Sequence, residues 1–182
     1  MKKGLFFLIP VFYLYSSSIF TVTYNSEPKI FVQELVDDAV KSLSDKSLTE
    51  EEKNDAIEKI ALENVDINAL GLYTLGNIRK DLDENTMNRY QELFKKYFLK
   101  SLTSRLTDYS SQKFEVYNSE QKSSNYTIVN SKIAESIKSP EIKIDWRIYT
   151  KNPQKPLIRD LIVEGLSLAR TQKEEFASIL NS

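Results

Sequence analysis

Two carboxylates four residues apart, Asp160 and Glu164, are the side chains of this chain best spaced for acid–base chemistry. They flank the apolar run Leu161-Ile162-Val163, and in an extended strand they fall on one face together with Ile162. Such a pair can hold one proton at a raised pKa, provided that a polar pocket surrounds it. The groups that usually complete this chemistry are missing. The 182-residue sequence contains no histidine and no cysteine. That removes imidazole-based triads, thiol nucleophiles, disulfides, lipid attachment on cysteine, and zinc sites built on imidazole or thiolate. A carboxylate enzyme or small-ligand binder centred on Asp160 or Asp145 is the alternative this inventory leaves. The preferred reading is that the chain is not an enzyme and needs no metal or cofactor.

The elements around the pair must place it. Leu161 to Val163 is a short, mostly β-branched run that suits a strand covered on at least one face. Gly165 marks a turn, and Thr171 with Glu174 has capping-box spacing. The pattern therefore predicts a strand that turns at the glycine directly into a helix over 171–181, with Phe176, Ile179 and Leu180 on its apolar side. Strands are expected at 113–120, 125–134, 142–150 and 157–163, joined by turns that include Ser139-Pro140 and Asn152-Pro153-Gln154. The third alternates, with Ile142, Ile144, Trp146 and Ile148 on one side and Lys143, Asp145 and Arg147 on the other.

Residues 28–109 read as helical. Pro28 suits a first turn, and Val32, Leu35, Val36, Ala39, Val40 and Leu43 return to one face. Thr49 and Glu52 form a capping box for a second helix that turns Ala56, Ile57, Ile60 and Ala61 inward. Asp66 caps a short third helix, Ile67 to Leu75, that stops at Gly76. Asp83 opens the longest helix, to about Asp108, with a stripe of Met87, Tyr90, Phe94, Tyr97, Phe98, Leu102 and Leu106. Helices, then an antiparallel meander of four strands, then a helix make one α+β domain over 25–182.

The N-terminus has the make-up of a secretory signal over residues 1–24. Lys2 and Lys3 precede the apolar run Gly4 to Tyr15 and the small residues Ser16 to Ser18, with cleavage expected between about 18 and 26. An uncleaved anchor over 4–22, holding an adaptor protein at a membrane, is the competing reading. Charge is balanced at 25 basic and 26 acidic residues, and loss of Lys2 and Lys3 takes the net from −1 to −3. Nothing in that balance favours nucleic acid or an anionic membrane as a partner.

Several stretches resemble the MlaC, or toluene-tolerance, family of periplasmic phospholipid carriers. The most specific runs from Asp160-Leu161-Ile162-Val163-Glu164-Gly165 to Thr171-Gln172-Lys173-Glu174-Glu175-Phe176. Pro28-Lys29-Ile30-Phe31-Val32 looks like the family's mature start. Val65-Asp66-Ile67 with Leu75-Gly76 is similar to its "VD…LG" element, and Ile144-Asp145-Trp146-Arg147 to its "v-x-Y-r" strand. Phe94, Phe98 and Tyr109 fall where its long helix carries aromatic and apolar residues. Two positions depart from the pattern. Pro156-Leu157-Ile158-Arg159 stands where the family usually has a tryptophan, and Lys173 where an arginine is common. A divergent member and the hopanoid-associated branch both fit.

The resemblance implies a curved four-stranded sheet similar to nuclear transport factor two, under a helical layer that encloses an apolar cavity. It implies a bound phospholipid as ligand, a monomer in the periplasm, and two partners: an ABC lipid transporter complex at the inner membrane and a lipoprotein–porin complex at the outer membrane. Maintenance of outer-membrane lipid asymmetry follows as its role. The residues it makes candidates for the cavity wall are Phe94, Phe98 and Leu102 on the long helix, and Ile142, Ile144, Trp146, Ile148, Leu161 and Val163 on the sheet. Tyr73 and Tyr97 are candidates for the mouth. Without the resemblance, all of these read as ordinary core or half-buried positions.

Overall fold

The computed structural model describes residues 23–106, 113–135 and 140–180. The expected signal segment up to residue 22, Tyr109, Ser139 and the last two residues lie outside them.

Each helix starts where a side chain can take up its free N–H groups. Glu27 accepts from Lys29 and Ile30 at the head of α1 (Pro28–Ser44). Thr49 and Glu52 form both halves of the capping box of α2 (Glu50–Asn64). Asp66 accepts from Ala69 at the head of α3 (Ile67–Leu75), which ends at Gly76. A single 3-10 turn, Ile78–Lys80, leads to α4 (Glu84–Leu106), where Asp83 accepts the Thr86 N–H at 2.9 Å. α3 and α4 meet closely at Gly71. A Cβ there would stand 2.6 Å from Gln91 Oε1 and 3.0 Å from a ring carbon of Phe94.

The sheet is an antiparallel meander of β1 (Phe114–Ser123), β2 (Tyr126–Ile133), β3 (Ile142–Tyr149), β4 (Leu157–Val163) and β5 (Leu166–Ser167), in that spatial order. It has five strands, not the four expected. The chain does not pass from β4 straight into a helix. Glu164 (φ 49°) and Gly165 (φ 82°) form a two-residue hairpin turn, and β5 pairs back on Ile162 and Val163. α5 (Leu168–Leu180) then begins three residues before Thr171. Ser167 Oγ accepts the Arg170 N–H at 3.1 Å, and the Thr171 hydroxyl donates to the Ser167 carbonyl. Thr171 therefore sits inside the first turn, and the expected Thr171–Glu174 cap does not form.

Two register shifts decide which side chains face inward. One skips Tyr117 on β1, and the other skips Arg159 on β4. Past the first, Val116 faces Ser131; past the second, Ile158 pairs with Ile148 while Leu161 pairs with Trp146 and Val163 with Ile144. The inner face gathers Val116, Val129, Trp146, Ile148 and Ile158 against Phe31, Val32, Leu35 and Val36 of α1. A second cluster joins the helices to one another: Ala61, Ile67, Phe94 and Leu99, with Phe176 of α5 packed against them. Val65 touches both clusters. α4 packs on α2 and α3, and its backbone makes at most marginal approach to the strands.

Glu52 and Asp83 are held below their ordinary pKa, chiefly by the backbone N–H groups of Thr49 and Thr86. A depressed carboxylate adds stability that is present above its unfolded pKa and lost as pH falls through its folded one. The Glu52→Gln/Asp83→Asn double variant should therefore unfold with a shallower dependence on pH below the ordinary carboxylate range. Urea midpoints measured across an acid series check this, and parallel curves for variant and parent would refute it.

Candidate functional site

The sheet residues proposed from sequence fall on one face, at different depths. Ile148 is fully buried and Trp146 nearly so, both packed beneath α1. Ile144 and Leu161 are half-buried at the edge of the same cluster, and Ile142 and Val163 are half-buried beyond it. The inner face thus stays apolar towards the end of the sheet that α1 leaves less covered. One polar group sits deep in it. Ser131 is fully buried, donates to the Ile144 carbonyl at 2.8 Å and accepts the Trp146 indole N–H at 2.8 Å. The indole needs a partner once it is out of water, and Ser131 supplies it from the neighbouring strand.

The α4 residues divide similarly. Phe94 is buried, stacked between Tyr90 and Phe98 and met edge-on by Phe176. Phe98 and Leu102 are half-buried on the rim of the helical cluster. Tyr97 and Tyr73 lie elsewhere. The Tyr97 hydroxyl donates to Gln172 Oε1 and its ring tilts onto Phe176, while the Tyr73 ring lies under the Lys173 ammonium. Both tyrosines are thereby tied to α5. The structure brings Ile142, Ile144, Leu161 and Val163 together on the sheet and Phe98 and Leu102 together on α4. The tyrosines join neither group.

The carboxylate pair does not exist as a pair. Glu164 belongs to the hairpin turn, and its side chain accepts the Lys143 N–H. Asp160 is buried and saturated: Ser167 Oγ at 2.6 Å, the Ala169 N–H at 3.0 Å and Arg147 Nη1 at 3.3 Å all reach its oxygens. It anchors the opening turn of α5. Asp145 lines an open groove of about 460 Å³ on the outer face of the sheet, with Tyr126, Asn130 and Arg147. Its polar groups are matched there: Asp145 with Asn130 at 2.8 Å, Glu120 with Lys122, and Arg147 with Asp160. No group of residues among those described is arranged to hold a metal ion.

The MlaC family model matches residues 33–182. The chain belongs to the MlaC family. A solved phospholipid-binding protein from Ralstonia solanacearum, in complex with a phospholipid, shares the fold. Its TM-score is 0.71 at 17% identity, over 86% of this chain and 88% of that one. No curated protein matches the chain. Among the described residues no helix is long and apolar enough to cross a membrane.

In this MlaC chain the block that resembles the family's signature has a structural task that spacing did not reveal. The neighbour of Asp160, Arg159, reaches the other way. Its Nε and Nη2 meet Asp66 Oδ2 at 2.8 and 2.7 Å, its Nη1 donates to the Tyr126 hydroxyl at 3.0 Å, and its guanidinium stacks 3.4 Å from the Tyr149 ring. Burial opposes the charge, but Tyr126 and Asp66 outweigh it and raise the arginine's pKa. Asp66 could be read from sequence as a cap, but not as a partner 93 residues away.

Asp160→Ala should cost about 3 kcal/mol, because it strands a hydroxyl, a helix N–H and an arginine that were paired with a buried charge. Amide exchange should accelerate first in the opening turn of α5. Glu164→Ala, at the exposed turn, should cost well under half as much in the same denaturant titration. Equal costs would contradict this division of labour.

Proposed function

We propose that this MlaC-family protein is a periplasmic phospholipid carrier, exported by cleavage of its N-terminal signal. It takes the acyl chains of a phospholipid between the inner face of the sheet and the C-terminal half of α4. It moves lipid between an ABC transporter complex at the inner membrane and a lipoprotein–porin complex at the outer membrane, and so maintains outer-membrane asymmetry. It does so by binding, not by catalysis.

One observation carries the reading, in a chain of this family: two apolar surfaces stop short of full packing. Ile142, Ile144, Leu161 and Val163 on the sheet, and Phe98 and Leu102 on α4, are half-buried, and the backbone of α4 stands off from the strands. Behind them Ile148, Trp146 and Phe94 are closed core, which makes these three a second layer. The phospholipid held by the Ralstonia solanacearum protein in the same fold supports this reading. So does the saturation of Asp160, which leaves the candidate catalytic pair without a free acid or base.

The physical demand on such a carrier is large. Two acyl chains of roughly fifteen methylenes each, at ~0.8 kcal/mol apiece, would cost on the order of 20 kcal/mol in water. The chains must be enclosed, yet not held more tightly than a bilayer holds them. Apolar walls without charges meet both conditions and predict tolerance of different head groups.

Protein purified after export should carry phospholipid in near-stoichiometric amount, read by organic extraction and mass spectrometry. A well-folded sample without lipid would sink the proposal. Ile144→Asp and Leu102→Asp should each remove at least about nine-tenths of that lipid while leaving cooperative unfolding, because an empty cleft can hydrate the carboxylate. Ile148→Asp, by contrast, should abolish the folded state. If the first two variants unfold like the third, their positions are closed core and the cleft is misplaced.

A further inference from the structure

The outward side of α4 carries a pattern that lipid enclosure does not use. Arg89, Leu93, Lys96, Tyr97 and Lys100 are spaced at i, i+4, i+7, i+8 and i+11, which returns them to one side of the helix. All five are exposed, and Leu93 at 55% and Tyr97 at 42% are unusually so for their size. Among the described residues, none of the three cations makes an ion pair. Glu92 borders the stripe, and no carboxylate lies within it. Tyr97 leads across Phe176 to α5, whose exposed Ile179 and Leu180 follow Phe176 by three and four positions.

We propose that this stripe docks the protein on the surface of a bilayer containing anionic phospholipid. The charge pattern selects the occupant. Three cations in a row, unpaired among the described residues, stand on a chain whose net charge is −1, so the stripe is a local inversion that an anionic surface would recognise. Leu93 between those cations matches the depth at which interfacial helices sit, its aliphatic chain below the head groups and the lysines above, while Tyr97, held against Phe176 and Gln172, presents only its exposed edge at their level. The α4 helix, 23 residues and roughly 35 Å long, presents the pattern as a rigid bar. Three cations and two apolar side chains give a weak, salt-sensitive attachment, which releases as readily as it forms. The stripe lies on the side of α4 opposite Phe98 and Leu102, so contact with a bilayer leaves the proposed cleft free.

The test is sedimentation of the folded protein with vesicles of equal parts phosphatidylglycerol and phosphatidylcholine, against pure phosphatidylcholine, at low and high salt. Binding should require phosphatidylglycerol and fall as salt rises. Arg89→Glu/Lys96→Glu/Lys100→Glu should lower partitioning on the order of a hundredfold. A charge-matched control, Lys46→Glu/Lys151→Glu/Lys155→Glu, alters exposed lysines elsewhere and should lower it far less. The proposal fails if the parent ignores anionic vesicles, which would leave the stripe to a protein partner. It also fails if both triple variants lose binding equally, since net charge alone would then account for it. Lipid content measured on the same samples separates the two proposals. Lipid-filled protein that ignores vesicles overturns the docking surface only, and empty protein that binds them overturns the carrier reading only.

Discussion

Arg159 and Asp160 are consecutive residues of β4 with opposite charges and different obligations, and the layers of the molecule are joined through them. Arg159 is the residue skipped in the register with β3. It is tied to Asp66 at the junction of α2 and α3, where the Asp66 N–H also donates to the Ile158 carbonyl. Asp160, one position on, takes Arg147 from β3 and the opening turn of α5. Desolvated charges of this kind contribute little net stability, but leaving one unpaired is expensive. Their value lies in register. Sliding β4 by a single residue would swing Asp160 towards the apolar inner face, among Ile148 and Trp146. The paired arrangement is thus the one in which helices and sheet can meet at all.

That dependence explains what could be read from the chain and what could not. The caps of α2, α3 and α4 involve partners within three residues, so local spacing identified them. The Thr171–Glu174 spacing has the same local form and fails. The Ser167 hydroxyl, immediately before the helix, and the Asp160 carboxylate, brought in by β4, take the free N–H groups of α5 instead. The earlier cap combines a local acceptor, Ser167, with a carboxylate that β4 brings in. β5 is two residues long and has no pattern to detect. On β4, strict alternation places Leu161 and Val163 inward correctly, but it would send Ile158 outward. Only the register shift at Arg159 restores Ile158 to the core.

The face that each candidate residue shares was legible in the sequence, and its depth was not. The alternation of Ile142, Ile144, Trp146 and Ile148 marks one side of a strand, and the structure keeps them there. Yet Ile148 is sealed while Ile144 is half-buried, because α1 covers one end of the sheet more fully than the other. Periodicity records the side of an element, whereas coverage depends on where a different element ends. The same holds on α4, where Phe94 is buried and Leu102 is half-buried. The tyrosines show the limit most plainly. Amphipathic side chains suit a cavity mouth and a helix–helix contact equally well, and the contacts of Tyr73 and Tyr97 with Lys173 and Gln172 were not legible.

The attachment between layers is lopsided, and on the carrier reading that asymmetry matters. Along β4 the helices are fastened by the Val65–Ile158 bridge, the Arg159–Asp66 ion pair and the Asp160 cap of α5. α4, by contrast, packs chiefly on α2 and α3. Separating layers held by paired, desolvated charges requires breaking those pairs. Separating apolar surfaces that a ligand already bridges only exchanges one apolar contact for another. A passage for acyl chains is therefore easier to make beside Phe98, Leu102 and Ile144 than at the β4 edge. Gly165, although free of steric restraint, is a poor pivot, because the neighbouring Glu164 carboxylate is bound to the Lys143 backbone. On the carrier reading, lipid would enter and leave while the charged seam stays intact, so that loading and folding would draw on different parts of the molecule.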